Sequence, residues 1–186
     1  GKIAVFLDGK LGKSYEHDEI DPPITSLIFS PNSKRVAYLA REEGSNVVVD
    51  GHESESYGVV DQNSLRFSPD STHVAYIVGS DHTVIDDTAG KTYALVYDLI
   101  FSPDSKRVAY IASNVAGRPS SRSTFAVVNE QEGKVYDEIR KITFSSDSKK
   151  LAYIAASKTG TKQEAFVVVD GLESKYYSGM GDHLKF

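Results

Sequence analysis

The stretch from Phe101 to Tyr110 reads FSPDSKRVAY, and the chain contains four versions of it. Each version opens with a phenylalanine, continues through a tetrapeptide like Ser-Pro-Asp-Ser, and reaches an Ala-Tyr pair whose tyrosine lies nine residues after the phenylalanine. The four pairs are Phe29 with Tyr38, Phe67 with Tyr76, Phe101 with Tyr110, and Phe144 with Tyr153. Self-similarity at a regular spacing is the signature of a repeat protein.

A second repeated element lies between these stretches. It is a short apolar run that ends in aspartate or asparagine, and a tyrosine follows seven residues later. The five copies end at Asp8, Asp50, Asp86, Asn129 and Asp170, and their tyrosines are Tyr15, Tyr57, Tyr93, Tyr136 and Tyr177. Aspartate and asparagine tolerate turn conformations and bond to nearby backbone, so these residues are predicted to be structural. The tyrosines of the Ala-Tyr pairs are predicted to pack between neighbouring modules.

Each module is predicted to contain four antiparallel strands joined in two hairpins. An apolar-x-Phe segment has the alternation of a half-buried strand, and the Ser-Pro-Asp-Ser turn connects it to a β-branched second strand such as 107–112. A third strand ends at the repeated aspartate, and a weak fourth strand ends at the following tyrosine. The phenylalanines at 29, 67, 101 and 144 are predicted to be the main core anchors and to face between modules.

A four-stranded module that recurs every 34 to 43 residues favours a β-propeller of four-stranded antiparallel blades over a solenoid. Residues 1–186 are predicted to form one domain, with repeat anchors at Phe29, Phe67, Phe101, Phe144 and Phe186. The pattern predicts nineteen strands, or about five blades, and the incomplete terminal segments 3–15 and 183–186 are expected to pair. Three alternatives stay open: a ring closed in one chain, an open half-ring closed by a second copy as a homodimer, and a piece cut from a longer propeller.

The repeat resembles that of TolB-like and related WD-repeat-like β-propellers, whose Phe-Ser-Pro-Asp-Gly turn precedes a Lys/Arg-Ile/Val-Ala-Tyr strand. This chain departs from the family at the last turn position, where serine replaces glycine in all four copies: Ser33, Ser71, Ser105 and Ser148. A further departure is Ser146 in place of the turn proline. The Trp-Asp and Gly-His pairs of the true WD repeat are missing. The resemblance implies a propeller that serves as a binding platform, and it favours a periplasmic or secreted location; the sequence itself fixes no compartment.

Composition excludes several classes of function. The net charge of −5 argues against a protein that binds the nucleic-acid backbone, and the lack of cysteine excludes thiolate metal sites and cysteine nucleophiles. No apolar stretch approaches the length of a membrane-spanning helix. The five histidines occupy unrelated repeat positions, and no catalytic or nucleotide-binding motif occurs. We therefore expect no enzyme activity, no metal and no cofactor.

The connections between modules point to one functional end. The turns within each hairpin have constant length, whereas the second-to-third and fourth-to-first connections vary and lie at the opposite end of the blades. The longest connections are predicted to be loops at 113–124, 157–165 and 16–23. Candidate binding residues in these loops are Arg118, Arg122, Lys158, Lys162, His17 and Asp18.

The favoured hypothesis is docking of a protein partner at this variable end. Two alternatives stay open, a small-ligand or glycan module with sites repeated between blades, and a gating propeller excised from a hydrolase. Repeated ligand sites would require matched polar residues at equivalent positions of different blades. The variable loops differ in both length and charge, which favours a protein partner.

Overall fold

The computed structural model describes residues 1–16, 23–41, 44–55, 58–115, 123–159 and 162–175. Within these ranges the chain forms eighteen β-strands and no helix, so no helix of this part could cross a membrane. The strands make one two-stranded sheet and four four-stranded sheets. The predicted four-stranded module is thereby confirmed. The nineteenth predicted strand, at 183–186, and the anchor Phe186 lie outside the described residues, so the pairing of the two ends stays a prediction.

The sheets follow the order of the chain. The N-terminal hairpin comprises β1 (Lys2–Leu7) and β2 (Lys10–Glu16). Blade 1 comprises β3 (Ile24–Phe29), β4 (Val36–Arg41), β5 (Ser45–Val49) and β6 (His52–Glu53). Blade 2 comprises β7 (Arg66–Phe67), β8 (Val74–Val78), β9 (His82–Ile85) and β10 (Thr88–Ala89). Blade 3 comprises β11 (Leu95–Phe101), β12 (Val108–Ser113), β13 (Thr124–Val128) and β14 (Gln131–Glu132). Blade 4 comprises β15 (Glu138–Phe144), β16 (Leu151–Thr159), β17 (Lys162–Val169) and β18 (Leu172–Glu173).

The chain divides into two compact units, one of Gly1–Gly79 with Val84–Ala89 and the other of Ser80–Thr83 with Gly90–Phe186. In the first unit, apolar side chains of blades 1 and 2 form one buried cluster, and Tyr15 of the N-terminal hairpin packs against Tyr38 of blade 1. In the second unit, blades 3 and 4 form another buried cluster. The single domain predicted over residues 1–186 stays a prediction.

The Ser-Pro-Asp-Ser turns share one hydrogen-bond pattern, shown here for blade 3. The hydroxyl of Ser102 donates to the carboxylate of Asp104 at 2.6 Å and accepts the backbone N–H of Arg107 at 3.0 Å. The last turn residue, Ser105, has a φ of 62°, in the left-handed region where glycine is favoured. The equivalent φ angles are 59° at Ser33, 69° at Ser71 and 60° at Ser148. This conformation explains why the family pattern places glycine at this position.

The repeated aspartates and asparagine close the second hairpin of each blade. The side-chain oxygen of each accepts the backbone N–H at the start of the second strand at 2.9 Å. The pairs are Asp50 with Val36, Asp86 with Val74, Asn129 with Val108, and Asp170 with Leu151. All four residues have φ between 46° and 52°, as residues of tight turns do. The predicted structural role is confirmed for these four residues.

In the N-terminal hairpin the fourth strand is β2, which continues through Tyr15 to Glu16, as predicted. In blades 1 to 4 the fourth strands are shorter than predicted, because each has two residues. In blade 1, the backbone N–H of Val47 donates to the hydroxyl of Ser54 at 3.0 Å, where a continuing strand would offer a carbonyl. In blade 4, the backbone N–H of Val167 donates in the same way to the hydroxyl of Ser174. A side-chain oxygen thus replaces the backbone acceptor, and the regular ladder stops there.

The first strands of three blades contain a bulge that the sequence did not indicate. The pairing register shifts in β3, β11 and β15, and a non-glycine residue with positive φ lies at each shift: Ser26 at 52°, Asp98 at 55° and Lys141 at 55°. A bulge bends its strand and redirects the neighbouring side chains. In blade 2 the first strand has only two residues, because Asp61–Ser64 forms a turn in which the N–H of Ser64 donates to the carbonyl of Asp61 at 3.0 Å.

Burial differs among the four phenylalanines that were predicted to face between blades. Phe67 and Phe144 are buried, Phe101 is half-buried, and Phe29 is 57% exposed, so the prediction is wrong for Phe29. The guanidinium groups of the preceding blades cover the two buried rings, with Arg35 at 5.3 Å from the centroid of Phe67 and Arg107 at 4.7 Å from that of Phe144. Among the described residues, the sheet before Phe29 is the two-stranded N-terminal hairpin, and it contains no first-to-second-strand turn with such an arginine.

The repeated tyrosines pack between blades as predicted. The second-strand tyrosines Tyr38, Tyr76, Tyr110 and Tyr153 are all buried. Three of them meet a tyrosine of the preceding sheet edge-to-face, in the pairs Tyr15–Tyr38, Tyr93–Tyr110 and Tyr136–Tyr153, with ring centroids 6.1 to 6.5 Å apart. Such edge-to-face pairs add stability beyond the area that they bury.

A polar contact, which we call the Lys-Tyr-Glu clasp, accompanies each of these pairs. The hydroxyl of the tyrosine donates to a glutamate of the next fourth strand, and a lysine two residues before the tyrosine lies over its ring and pairs with the same glutamate. The three clasps are Lys13-Tyr15-Glu53, Lys91-Tyr93-Glu132 and Lys134-Tyr136-Glu173. The bonds from tyrosine and lysine lower the pKa of each glutamate.

Candidate functional site

The blades have two chemically different ends. The turn end carries the Ser-Pro-Asp-Ser and aspartate turns, which repeat from blade to blade. The variable end carries the second-to-third and fourth-to-first connections. Of the six candidate binding residues predicted there, His17, Asp18, Arg118 and Arg122 lie outside the described residues. Lys158 and Lys162 lie in blade 4, and they are the only two whose placement can be compared with the prediction.

Lys158 and Lys162 belong to an extended hairpin, so the predicted loop at 157–165 is wrong. Strand β16 continues to Thr159 and β17 begins at Lys162, with Lys158 paired to Gln163 in the register. The side chain of Lys158 is exposed, and its backbone N–H donates to the carboxylate of Asp137 at 2.5 Å. This bond ties the hairpin to the residue that precedes β15. The hairpin therefore projects from the variable end as ordered β-structure.

A cavity of about 630 Å³ lies between the first strands of blades 3 and 4. It is lined by Leu95, Tyr97 and Asp98 of β11 and by residues 138–141 of β15. Leu95 pairs with Ser113, the last residue of β12, and Glu138, the first residue of β15, pairs with Ala156, after which β16 extends for three more residues. The cavity therefore opens at the variable end. A cavity of this size fits a drug-sized ligand or a few side chains of a partner.

The charged side chains that line the cavity balance one another. The guanidinium of Arg140 makes two bonds to the carboxylate of Glu138, at 2.6 and 2.9 Å. Asp98 and Lys141, at the two bulges, add one charge of each sign. The lining therefore has no net charge, and its charged groups surround the apolar side chains of Leu95 and the buried Ile139.

Tyr97 supplies a hydrogen-bond acceptor in the cavity, because its one O–H is already donated. Its hydroxyl donates to the backbone carbonyl of Ile139 at 3.2 Å and so links β11 to β15. Burial, aided by the charges of Asp98 and Glu138, raises the pKa of Tyr97 to about 12. The phenol therefore stays protonated at neutral pH. The lining combines tyrosine, arginine and apolar side chains, a composition that is typical of binding hot spots.

The described residues do not include a group of three or more histidine, aspartate or glutamate side chains arranged to hold a metal ion. The cavity residues were not among the six candidates, because matched strand positions hold different residue types. Tyr97 in β11 corresponds to Arg140 in β15, and Asp98 corresponds to Lys141. One sequence feature could have indicated the cavity. A charged residue lies three positions before Phe101 and before Phe144, inside a strand that was predicted to be half-buried.

Comparison with protein families gives one match, of residues 44–85 to the model described as WD domain, G-beta repeat. The matched segment extends through β5 to β9 and so contains one module length of blades 1 and 2. A comparison with curated protein sequences finds no match.

Solved structures share the fold at low sequence identity. A eukaryotic initiation factor aligns over 90% of this chain and 45% of its own, with 13% identity and a TM-score of 0.59. The tricorn protease aligns over 73% of this chain and 17% of its own, with 16% identity and a TM-score of 0.55. TolB from Acinetobacter baumannii aligns over 90% of this chain and 46% of its own, with 15% identity and a TM-score of 0.45. The chain thus spans less than half of each of these proteins.

The repeat match and the first two structures agree with the sheets described above. The five successive antiparallel sheets, one of them two-stranded, are the blades that the repeat predicted. The resemblance inferred from the Phe-Ser-Pro-Asp-Ser stretches is confirmed at the level of the fold. The chain is an all-β propeller of about five blades, and residues 44–85 match the WD repeat model.

Proposed function

We propose that this propeller is a non-catalytic scaffold that binds a protein partner at its variable end. One observation carries the proposal: the cavity of about 630 Å³ between β11 and β15 opens where the blades differ from one another. A propeller with WD-repeat-like modules is consistent with a protein-interaction scaffold. Loops and strand ends on a rigid framework are where binding surfaces usually lie.

The lining of the cavity favours a side chain of a protein partner. Tyrosine and arginine are enriched in binding hot spots, and Tyr97 and Arg140 face the same cavity. The corresponding strand positions of blade 1 are Thr25 and Ser26, so that blade does not repeat the lining. The extended hairpin with Lys158 adjoins the cavity through Asp137 and enlarges the available surface. We expect the partner to contact both regions.

The test places a photo-crosslinking amino acid at Lys141 and, as a matched control, at Lys149. Both lysines are exposed, but Lys149 belongs to the turn end of the same blade. A partner captured through position 141 is then purified, and its affinity is measured for the wild type, Arg140→Glu and Lys149→Glu. We expect Arg140→Glu to weaken binding about tenfold or more and Lys149→Glu to leave it unchanged. Equal affinity of all three proteins, or capture only through position 149, would contradict the proposal.

A further inference from the structure

Two smaller cavities lie at the turn end, opposite the surface of the proposed function. The first interblade cavity, of about 300 Å³, lies between the N-terminal hairpin and blade 1. The second interblade cavity, of about 430 Å³, lies between blades 3 and 4. The same repeat positions line both. The matched pairs are Val5 with Ala126, Leu7 with Val128, Asp8 with Asn129, Gly12 with Gly133, Tyr38 with Tyr153, and Asp50 with Asp170.

Both cavities have glycine at the same lining position, where a side chain would crowd the backbone of the paired strand. A Cβ atom at Gly12 would lie 3.1 Å from the carbonyl oxygen of Val5, and one at Gly133 would lie 3.1 Å from that of Ala126. The corresponding residue of blade 1 is Ser54, whose hydroxyl instead bonds to the backbone. Buried tyrosines, Tyr38 and Tyr153, lie at the bottom of the two cavities. Blade 2 also has glycine at this position, Gly90, but there a Cβ would lie 2.9 Å from the hydroxyl of Thr83 and 3.0 Å from the carboxylate of Glu130. The likeness of the two cavities therefore rests on the whole set of matched lining positions.

The mouths of the cavities carry charges of both signs. The first has Asp8, Asp50 and Lys10, and the second has Glu132, Asp170, Arg107 and Lys134. The carboxylate of Asp50 already accepts the backbone N–H of Val36 and the side chain of Arg35. Asp170 uses one carboxylate oxygen to accept the N–H of Leu151, and within the described ranges the other oxygen accepts no hydrogen bond. An anionic ligand would meet these carboxylates, and a cationic ligand would meet the lysine or arginine. The mixed charge favours a neutral ligand with several hydroxyl groups.

The walls and the volume narrow the choice further. The apolar side chains of Leu7 and Val36 line the first cavity, and those of Val128 and Leu151 line the second. Openings of 300 to 430 Å³ are too small for a folded partner and lie at the lower end of the range for small-molecule sites. A pyranose ring matches this lining, because one of its faces is apolar and its edge carries hydroxyl donors and acceptors.

We propose that the two interblade cavities are equivalent binding sites for a single neutral pyranose unit. The ring lies against the apolar wall, and its hydroxyl groups donate to the carboxylates at the mouth. The sites share no residue with the cavity between β11 and β15, so they can be tested independently of the proposed function.

The test uses saturation-transfer NMR with the methyl pyranosides of glucose, galactose and mannose, each at about 10 mM because isolated sugar units bind weakly. Lys10→Trp and Gln131→Trp place a large side chain at matched, exposed positions of the two mouths. Lys149→Trp adds the same side chain away from both cavities. Circular dichroism melting verifies that every variant is folded.

We expect at least one pyranoside to bind the wild type and Lys149→Trp equally. Each single mouth variant should lose about half of the transferred signal, and the double variant should lose it about tenfold or more. The neutral sugar should also bind better than the corresponding glucosamine or glucuronate. The proposal is overturned if no pyranoside binds the wild type, if the double variant binds like the wild type, or if a charged sugar binds more tightly.

Discussion

The interface between blades 1 and 2 and the interface between blades 3 and 4 are alike at one end and different at the other. At the turn end, both bury a repeat phenylalanine under an arginine, Phe67 under Arg35 and Phe144 under Arg107. In both, a turn serine accepts a backbone N–H of the preceding blade, Ser71 from Asn32 at 3.1 Å and Ser148 from Asp104 at 2.8 Å.

The outer strands of the two interfaces differ. Between blades 3 and 4, the clasp joins Lys134 and Tyr136 to Glu173, with bonds of 2.7 and 2.9 Å. Between blades 1 and 2, the matched sequence positions hold Glu55 in place of the lysine and Ala89 in place of the glutamate. Both charged members of the clasp are therefore changed together. The two interfaces thus share the apolar repeat and differ in their outer-strand charges, and we expect these charges to make the interface between blades 3 and 4 the more stable one.

The largest effect is expected at the covered phenylalanines. Phe144→Ala should lower the free energy of unfolding by about 3–5 kcal/mol, because it leaves a cavity beneath Arg107. Phe29→Ala is the matched control. Its ring is 57% exposed, so the loss should be about 1 kcal/mol or less. Urea unfolding of the two variants measures the difference, and equal losses would contradict the assigned role of the arginine.

The next effect concerns the clasp. Glu173→Ala removes the acceptor of the buried Tyr136 hydroxyl and the partner of Lys134, and should cost about 1 kcal/mol. Gln131→Ala, an exposed change in the fourth strand of blade 3, should cost about 0.5 kcal/mol or less. Thermal and urea unfolding at pH 7 compare both variants with the wild type. A Glu173→Ala protein as stable as Gln131→Ala would show that the clasp adds nothing.

The contribution of the clasp should also depend on pH. Bonds from Lys134 and Tyr136 lower the pKa of Glu173 below its ordinary value of 4.5, so its carboxylate stabilises the fold above about pH 4.5. That stabilisation is lost as the pH falls through the lowered pKa of the folded state. The difference in melting temperature between the wild type and Glu173→Gln should therefore shrink between pH 6 and pH 3. A difference that stays constant across this range would count against the ionic part of the clasp.

Sequence periodicity predicted what depends on spacing along the chain. Burial of Tyr38 and Tyr153 follows from their place in a strand that is covered on both sides, and the role of Asp170 follows from its place in a turn. The exposure of Phe29 could not be predicted, because it depends on which blade lies before it. The two ends of the blades were distinguished, but the cavity at the variable end was missed.

That cavity depends on features that leave little trace in a sequence. Asp98 and Lys141 adopt left-handed φ angles at bulges, although neither is glycine and the two residue types differ. The lining residues come from two strands of different blades, with Tyr97 bonded to a carbonyl 42 positions away. The interblade cavities, in contrast, use matched repeat positions. They could have been found by aligning the turn end of each module with the others, since the same repeat positions line both.

Two turn serines share the same backbone conformation and differ in their hydrogen bonds. Ser33 and Ser148 both have left-handed φ, at 59° and 60°, but only Ser148 accepts a bond from a neighbouring blade, from the N–H of Asp104. Ser33→Gly should be neutral or stabilising by about 0.5 kcal/mol, because glycine favours this φ. Ser148→Gly gains the same relief but loses the bond, so it should be less stable than Ser33→Gly by about 1 kcal/mol. Urea unfolding of both variants measures this difference. Equal changes in the free energy of unfolding would show that the bond from Asp104 to Ser148 adds no stability.

The smallest effect is expected from building the missing clasp between blades 1 and 2. Glu55 and Ala89 are both exposed, so Glu55→Lys and Ala89→Glu can be made without disturbing the core. Ala89→Glu alone introduces the glutamate of the clasp without its lysine, because Glu55 is still acidic. This single change should therefore not raise the stability of the protein. The double variant should be more stable than the sum of the single changes by about 0.5 kcal/mol, the usual value for an exposed ion pair. A double-mutant cycle in urea at low salt measures this coupling, and 1 M NaCl should weaken it. A coupling of zero at low salt would mean that the two introduced charges are not sufficient to form a clasp at this interface.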